Sequence, residues 1–226
     1  MKSESATNDN LMLERKMYQY KIILLGDIAV GKTSILSRFI NNSFSEVYKC
    51  NVGVDFKAKT IYLDDKTGAD LNIWDTCGEE RFRGVSRQYY KDSNGILLVF
   101  DLTNHLSFEG LQSWFDDIYN FAMTGIDIIL LGNKSDDIAN RAVKIEEIKE
   151  MINDKINCSY YEVSAKTGNN VTIAFEELAK KLNSKIGSEA YLKSNESSIS
   201  QSILIKANLS KIKRKERDIE NKASCC

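Results

Sequence analysis

Eight consecutive residues, Gly26-Asp27-Ile28-Ala29-Val30-Gly31-Lys32-Thr33, have the types and spacing of a phosphate-binding turn. They match the pattern G-x-x-x-x-G-K-[ST]. Glycine lets the backbone curl until successive N–H groups converge on phosphate oxygens, and a helix opening behind the turn adds partial positive charge. In that arrangement Lys32 bridges β- and γ-phosphates and the Thr33 hydroxyl takes a Mg²⁺ ion. Asp27, Ile28, Ala29, Val30, Gly31, Lys32, Thr33 and Ser34 are the candidate phosphate contacts.

Three further segments supply matching chemistry. Trp74-Asp75-Thr76-Cys77-Gly78 ends a strand-like run, so Asp75 falls beside the cation held by Thr33. Asn133-Lys134-Ser135-Asp136 follows an apolar run. A carboxylate there accepts two hydrogen bonds, from N1–H and the 2-amino group of guanine. Adenine has no such donor pair and leaves the acid unpaired, so Asp136 favours guanine. Ser164-Ala165-Lys166 follows another strand-like run and offers backbone amides to the guanine O6. An ATPase or kinase reading is disfavoured by Asn133, Lys134 and Asp136.

These segments need a scaffold that gathers strand ends. Tyr20–Leu25, Val54–Leu63 and Leu71–Trp74 read as strands, the last two joined by a turn at 64–68. Ile96–Phe100 and Ile126–Leu131 are continuous apolar runs, as in parallel strands covered on both faces, and Tyr160–Val163 is a last strand. Helical spacing marks Lys32–Asn41, a stretch from Leu106 to Phe121, Val143–Ile156 and Val171–Leu182. The expected fold is α/β: a six-stranded, mostly parallel sheet with one antiparallel strand and helices on both faces, in the manner of a P-loop nucleotide-binding domain. Open sheets of this kind bind ligands at the carboxyl ends of their strands.

The chain has 226 residues, 42% hydrophobic, enough for one core, and its net charge of −1 excludes a broad basic field for nucleic acid. No segment has the apolar length of a signal peptide or a membrane span. The five cysteines lack zinc-ligand spacing, and no disulfide framework is expected. The organisation reads as a polar lead-in at 1–17, the α/β domain at 18–183 and a flexible tail at 184–226. Residues 206–226 carry seven Lys/Arg against three acids and end in Cys225-Cys226. Such a tail is either a solvated coil or a segment drawn to an anionic membrane surface.

From about Tyr18 to Leu182 the chain resembles the Ras-superfamily small GTPases, and among them the Rabs. Rab-like strings are Val52-Gly53-Val54-Asp55-Phe56, Glu80-Arg81-Phe82-Arg83, Tyr89-Tyr90-Lys91 and Leu98 to Thr103. The resemblance implies a GTP hydrolase that binds GTP or GDP with Mg²⁺ and switches between two states, with loops around 44–56 and 78–91 ordered by the γ-phosphate. It implies that Phe44 packs on the guanine (a core plug after the first helix is the other reading of that residue), that Tyr48 lids the phosphates, and that Gly78 approaches the γ-phosphate. It implies an exchange factor, a GTPase-activating protein, a GDP-dissociation inhibitor, prenylation machinery and effectors as partners of a monomer. Lipid on Cys225 and Cys226 would place it on the cytoplasmic face of an intracellular membrane, cycling with cytosol, in vesicle-mediated protein transport.

The chain departs from that pattern at several positions. Asn51 stands where the family has the Mg²⁺-ligating switch Thr; its amide oxygen can bind the cation with a different reach and its N–H can meet the γ-phosphate, while Glu79 stands where the family has the Gln that orients water. An ionised Glu repels the γ-phosphate, by about 3 kcal/mol for unit charges 5 Å apart at an effective dielectric of 20. Slow hydrolysis follows, unless a partner protein supplies its own glutamine and arginine. Ile28 and Ala29 replace smaller residues in the loop, and Cys77 replaces Ala. A hydrolysis-poor, GTP-bound membrane scaffold is the alternative reading.

Overall fold

The computed structural model describes residues 15–47, 54–76, 78, 83–153, 155 and 158–185 (at 83–86 the backbone alone). Six strands form one sheet: β1 (Lys16–Leu25), β2 (Asp55–Tyr62), β3 (Thr67–Asp75), β4 (Gly95–Asp101), β5 (Asp127–Asn133) and β6 (Cys158–Glu162). Their order is β2-β3-β1-β4-β5-β6, with β2 antiparallel to β3 and every other neighbouring pair parallel. The helices are α1 (Lys32–Asn41), α2 (Arg83–Tyr90), α3 (His105–Glu109), α4 (Leu111–Phe121), α5 (Ile145–Asn153) and α6 (171–185). The six-stranded sheet, with one antiparallel strand and helices flanking it, is the fold the sequence predicts.

Alternation along the central strands sorts the core into two layers. Ile23, Leu25, Ile96, Leu98, Phe100, Ile128 and Leu130 meet Trp114, Phe115 and Ile118 of α4 and Ile148 of α5. Their neighbours Ile22, Leu24, Leu97, Val99, Ile129 and Leu131 are buried on the other side, where Phe39 of α1 stacks on Phe175 of α6 with centroids 3.8 Å apart. Every residue of β4 and β5 is buried, which explains their unbroken apolar runs.

Some element bounds differ from expectation, each for a local reason. β1 begins at Lys16, within the stretch read as polar lead-in, because residues 16–19 pair with 67–70 of β3. The single helix expected from Leu106 to Phe121 is two, jointed at Gly110, and Leu106 is 74% exposed instead of core-facing. The expected helix Val143–Ile156 begins only at Ile145. Val143 is buried, but its N–H and that of Ala142 bond to the Leu102 carbonyl (3.2 and 2.8 Å), which commits them to a loop. Residues 83–90, read as part of a switch loop, form α2. Contacts divide the chain into two units, Met1–Leu182 and Asn183–Cys226. No helix among the described residues is long and apolar enough to cross a membrane.

His105 opens α3 and joins it to α5: Nε2 lies 3.0 Å from Glu147 and Nδ1 3.2 Å from Glu109. The hydrogen bond it donates to Glu147 chiefly, then that to Glu109, holds the imidazolium above its ordinary 6.5. Bonds from His105 and the Lys144 N–H hold Glu147 below 4.5. A raised histidine stabilises fully below 6.5 and loses that contribution as pH climbs through its folded value. A depressed carboxylate contributes above 4.5 and loses it in acid. His105→Gln should therefore lower the melting temperature relative to wild type at pH 5.5 and leave no gap at pH 8.5. Equal gaps at both pH values in thermal unfolding would contradict this linkage.

Candidate nucleotide-binding site

The turn between β1 and α1 is shaped by three residues with positive φ: Gly26 at 134°, Ala29 at 60° and Gly31 at 99°. Gly26 lies against the Val99 carbonyl so closely that a Cβ would overlap it. Gly31 leaves equally little room, here before the Asn133 amide, and it caps α1 in the left-handed region. Lys32 begins α1 and is buried; its ammonium donates to the carbonyls of Gly26 (2.9 Å) and Asp27 (2.7 Å). The cation is thereby folded back over the turn, with the N–H groups at the start of α1 beside it.

At the end of β3, Asp75 is fully buried and its Oδ2 accepts a 2.6 Å bond from the Thr33 hydroxyl. Thr76 donates to the Leu24 carbonyl at 2.7 Å, fastening the end of β3 to β1. Gly78 passes so near Lys32 Nζ and the Asp27 carbonyl that any side chain would displace them. Paired hard oxygens from Thr33 and Asp75 suit Mg²⁺, which takes one or two protein oxygens and completes its shell with phosphate and water. No cluster of three or more His, Cys, Asp or Glu suited to a metal exists among the described residues.

A second group of loops faces the first. Asn133, 2% exposed at the end of β5, donates from Nδ2 to the Val30 carbonyl (2.9 Å) and accepts at Oδ1 from the Ala165 N–H (3.1 Å). Lys134 has φ 65° and its ammonium lies 2.5 Å from Asp101 Oδ2. Asp136 Oδ1 accepts from the buried Ser164 hydroxyl at 2.5 Å, which fixes the carboxylate. Arg38 of α1 bonds the carbonyls of Ala165 (2.9 Å) and Lys166 (2.7 Å), so the loop after β6 is held from both sides.

Between the two groups lies a cavity of about 600 Å³. Ile28, Ala29, Gly31, Lys32, Thr33, Ser34 and Gly78 line one end, and Phe44, Asn133, Lys134, Asp136, Ala165 and Lys166 also line it. Phe44 is half-buried in that wall and is not among the buried core residues. Val30 is buried behind the wall and contributes its carbonyl; Asp75 and Ser164 act through Thr33 and Asp136. The Asp27 backbone belongs to the phosphate turn, and its side chain is turned onto α4, where Oδ1 accepts from the Trp114 indole N–H at 2.8 Å. Tyr48, Asn51, Cys77, Glu79, Cys225 and Cys226 lie outside the described residues.

Motif reading missed several lining residues: Ser37, Ser43, Ser45, Glu46, Val47, Thr76 and Asp137. Most sit just after α1 or beside a motif, where no pattern marks them. Asp137 alone carried a signal, a second acid directly after Asp136.

Ala29 pays a steric penalty for its φ of 60°, where Cβ crowds the carbonyl oxygen by about 1–2 kcal/mol. Ala29→Gly relieves this and gives back about half a kcal/mol to 1 kcal/mol through a freer unfolded chain. The variant should gain a few tenths of a kcal/mol to about 1 kcal/mol, read as a higher urea midpoint at fixed nucleotide concentration with unchanged slope.

Comparison with known proteins agrees with this geometry. The Ras family model matches residues 21–184. The chain is 44% identical over 170 residues to "Ras-related protein Rab-1" of Theileria annulata, covering 75% of this chain and 76% of that protein. It is 38% identical over 178 residues to "GTP-binding protein ypt1" of Schizosaccharomyces pombe (79% and 87% covered). It is 44% identical over 163 residues to "Ras-related protein RabC" of Dictyostelium discoideum (71% and 82% covered). With the phosphate turn, the Asp75–Thr33 pair and the Asn133–Asp136 segment in one sheet of this order, the chain belongs to the Ras family and is a Rab-type small GTPase.

Proposed function

We propose that this protein is a membrane-anchored switch that binds GTP and GDP with Mg²⁺, hydrolyses GTP slowly, and recruits effectors in vesicle-mediated transport. The observation that carries the reading is the single cavity with Lys32 and Thr33 at one end and Asn133 and Asp136 in the same wall. A nucleotide's phosphates and base need those two chemistries at once, one cationic and rich in N–H donors, the other a fixed carboxylate.

In this reading Lys32 holds the outer phosphates, its direction set by two carbonyls. Thr33 and Asp75 hold Mg²⁺, which supplies neutralisation of the charge that develops on the phosphate oxygens. Asp136, braced by Ser164, accepts from the guanine edge, and the Ala165 region faces the O6. Phe44 and the methylenes of Lys134 supply apolar cover for the base. Glu79 cannot donate the hydrogen bond with which glutamine positions water, and its charge opposes the γ-phosphate, so unassisted turnover is low. Ile28, 46% exposed in the cavity wall, adds bulk where an activating protein's arginine would enter. Two lipid chains on Cys225 and Cys226 would turn marginal membrane attraction into stable anchoring, at about 0.8 kcal/mol per buried CH₂. The alternative, a scaffold that barely hydrolyses, draws on the same Glu79 and on Asn51.

Protein purified without added nucleotide should release guanine nucleotide on acid extraction and chromatography; adenine nucleotide, or none, would remove the reading. Lys32→Ala and Asp136→Ala should each weaken GDP binding on the order of 10²-fold or more, because each leaves charged or hydrogen-bonding atoms of the ligand unmatched.

Glu79→Gln should accelerate single-turnover phosphate release, alone or with a cognate activating protein. No acceleration in either setting would overturn this account of Glu79.

A further inference from the structure

The Asp27 side chain does not face the cavity, yet it is one of the most constrained groups near it. Oδ1 accepts from the Trp114 indole N–H at 2.8 Å. Oδ2 lies where only a glycine fits: a Cβ on Gly110, the joint between α3 and α4, would stand 2.7 Å from it. Trp114 is fully buried among Tyr90, Phe100, Phe108 and Phe115. An indole N–H donating to a carboxylate is a charge-assisted bond, stronger than one between neutral groups. The first residue of the phosphate turn after Gly26 is thus fastened to the hydrophobic core through α4, a helix that contributes nothing to the cavity wall.

The same residue carries the other half of the connection. Its backbone carbonyl accepts from Lys32 Nζ at 2.7 Å, beside the Gly26 carbonyl at 2.9 Å. Moving the Asp27 peptide would swing one of the acceptors that hold the ammonium. We infer that Asp27 and Trp114 form a positioning pair for Lys32: the indole fixes the Asp27 carboxylate, the carboxylate fixes the peptide, and the peptide carbonyl fixes the cation that meets the outer phosphates. This rests on the guanine-nucleotide reading of the cavity and deepens it. The role belongs to the phosphate end alone, since the base-end contacts run through Asn133, Ser164 and Arg38.

The test uses the full chain and three measurements: thermal unfolding without nucleotide, dissociation of a fluorescent GDP analogue, and equilibrium binding of GDP and GMP. Wild type must bind GDP; if it binds none, the function proposed above fails and the pair is not at issue. Given binding, Trp114→Phe, which deletes the N–H and keeps an aromatic ring, should speed GDP release about tenfold, or about 1.4 kcal/mol. Asp27→Ala should do the same. The double variant should release no faster than Asp27→Ala, as expected for two members of one bond. Asp27→Asn keeps an oxygen acceptor and should stay within about threefold of wild type. The preference for GDP over GMP should fall in Trp114→Phe and Asp27→Ala, because the outer phosphate loses its partner. A general loosening of the fold would weaken both ligands alike. In ¹H–¹⁵N spectra the indole resonance that disappears in Trp114→Phe should move in Asp27→Ala and hold near its place in Asp27→Asn. If Trp114→Phe does not fold, the Asp27→Ala and Asp27→Asn comparison decides alone. Wild-type release rates in both alanine and phenylalanine variants, or equal losses for GDP and GMP, would overturn the pair.

Discussion

The cavity depends on one buried carboxamide. Asn133 has its Nδ2 on the Val30 carbonyl and its Oδ1 on the Ala165 N–H, so a single side chain on β5 fixes the distance between the phosphate turn and the loop after β6. A buried amide left unmatched costs about 1–3 kcal/mol per group, so both loops are held in register. Gly31 is part of the same arrangement, since any side chain there would collide with the Asn133 amide. No charged residue could replace Asn133, because the interaction needs a donor and an acceptor on one planar group. Phosphate and base chemistry come from loops more than a hundred positions apart, and this contact makes them one site.

Around that amide the backbone is held in uncommon conformations. Gly26, Ala29, Gly31 and Lys134 all have positive φ, and all belong to the loops that form or brace the cavity. Such geometry persists only where surrounding structure over-determines it. Here the over-determination comes from fully buried strands β4 and β5, from Thr76 on the Leu24 carbonyl, and from Arg38 on the Ala165 and Lys166 carbonyls. The attachments of the polar site reach back into an apolar core.

The sequence displayed most of this site and little of its bracing. A phosphate turn is a local object whose glycines, lysine and threonine must stand at set spacing, so Gly26 to Thr33 could be read directly. Helix α1 has the bounds its periodicity predicted, because the turn starts it and no competing bond ends it early. Long-range bonds left no such trace. Nothing near Asp27 announces an indole 87 positions away that holds its carboxylate. Leu106 keeps helical spacing with Leu111 and Trp114 and still lies in solvent, because Gly110 breaks the helix between them. Val143 carries the right hydrophobicity for a helix, but Leu102 captures its backbone.

The departures from the family pattern are distributed unevenly, and the distribution has physical meaning. Asn133, Lys134 and Asp136 in the base-reading segment, with Ser164, Ala165 and Lys166, match it residue for residue, and Asn133, Asp136 and Ser164 are tied by short bonds. Ile28, Ala29, Asn51, Cys77 and Glu79 depart, and all five belong to segments assigned to the phosphate end in that reading. Affinity for a guanine nucleotide draws on contacts along the whole ligand, whereas cleavage draws on a few groups at its far end. Changes confined to that far end reduce turnover more than retention. On the function proposed above, that asymmetry would favour a protein that keeps its nucleotide firmly and leaves the GTP state with a partner's help.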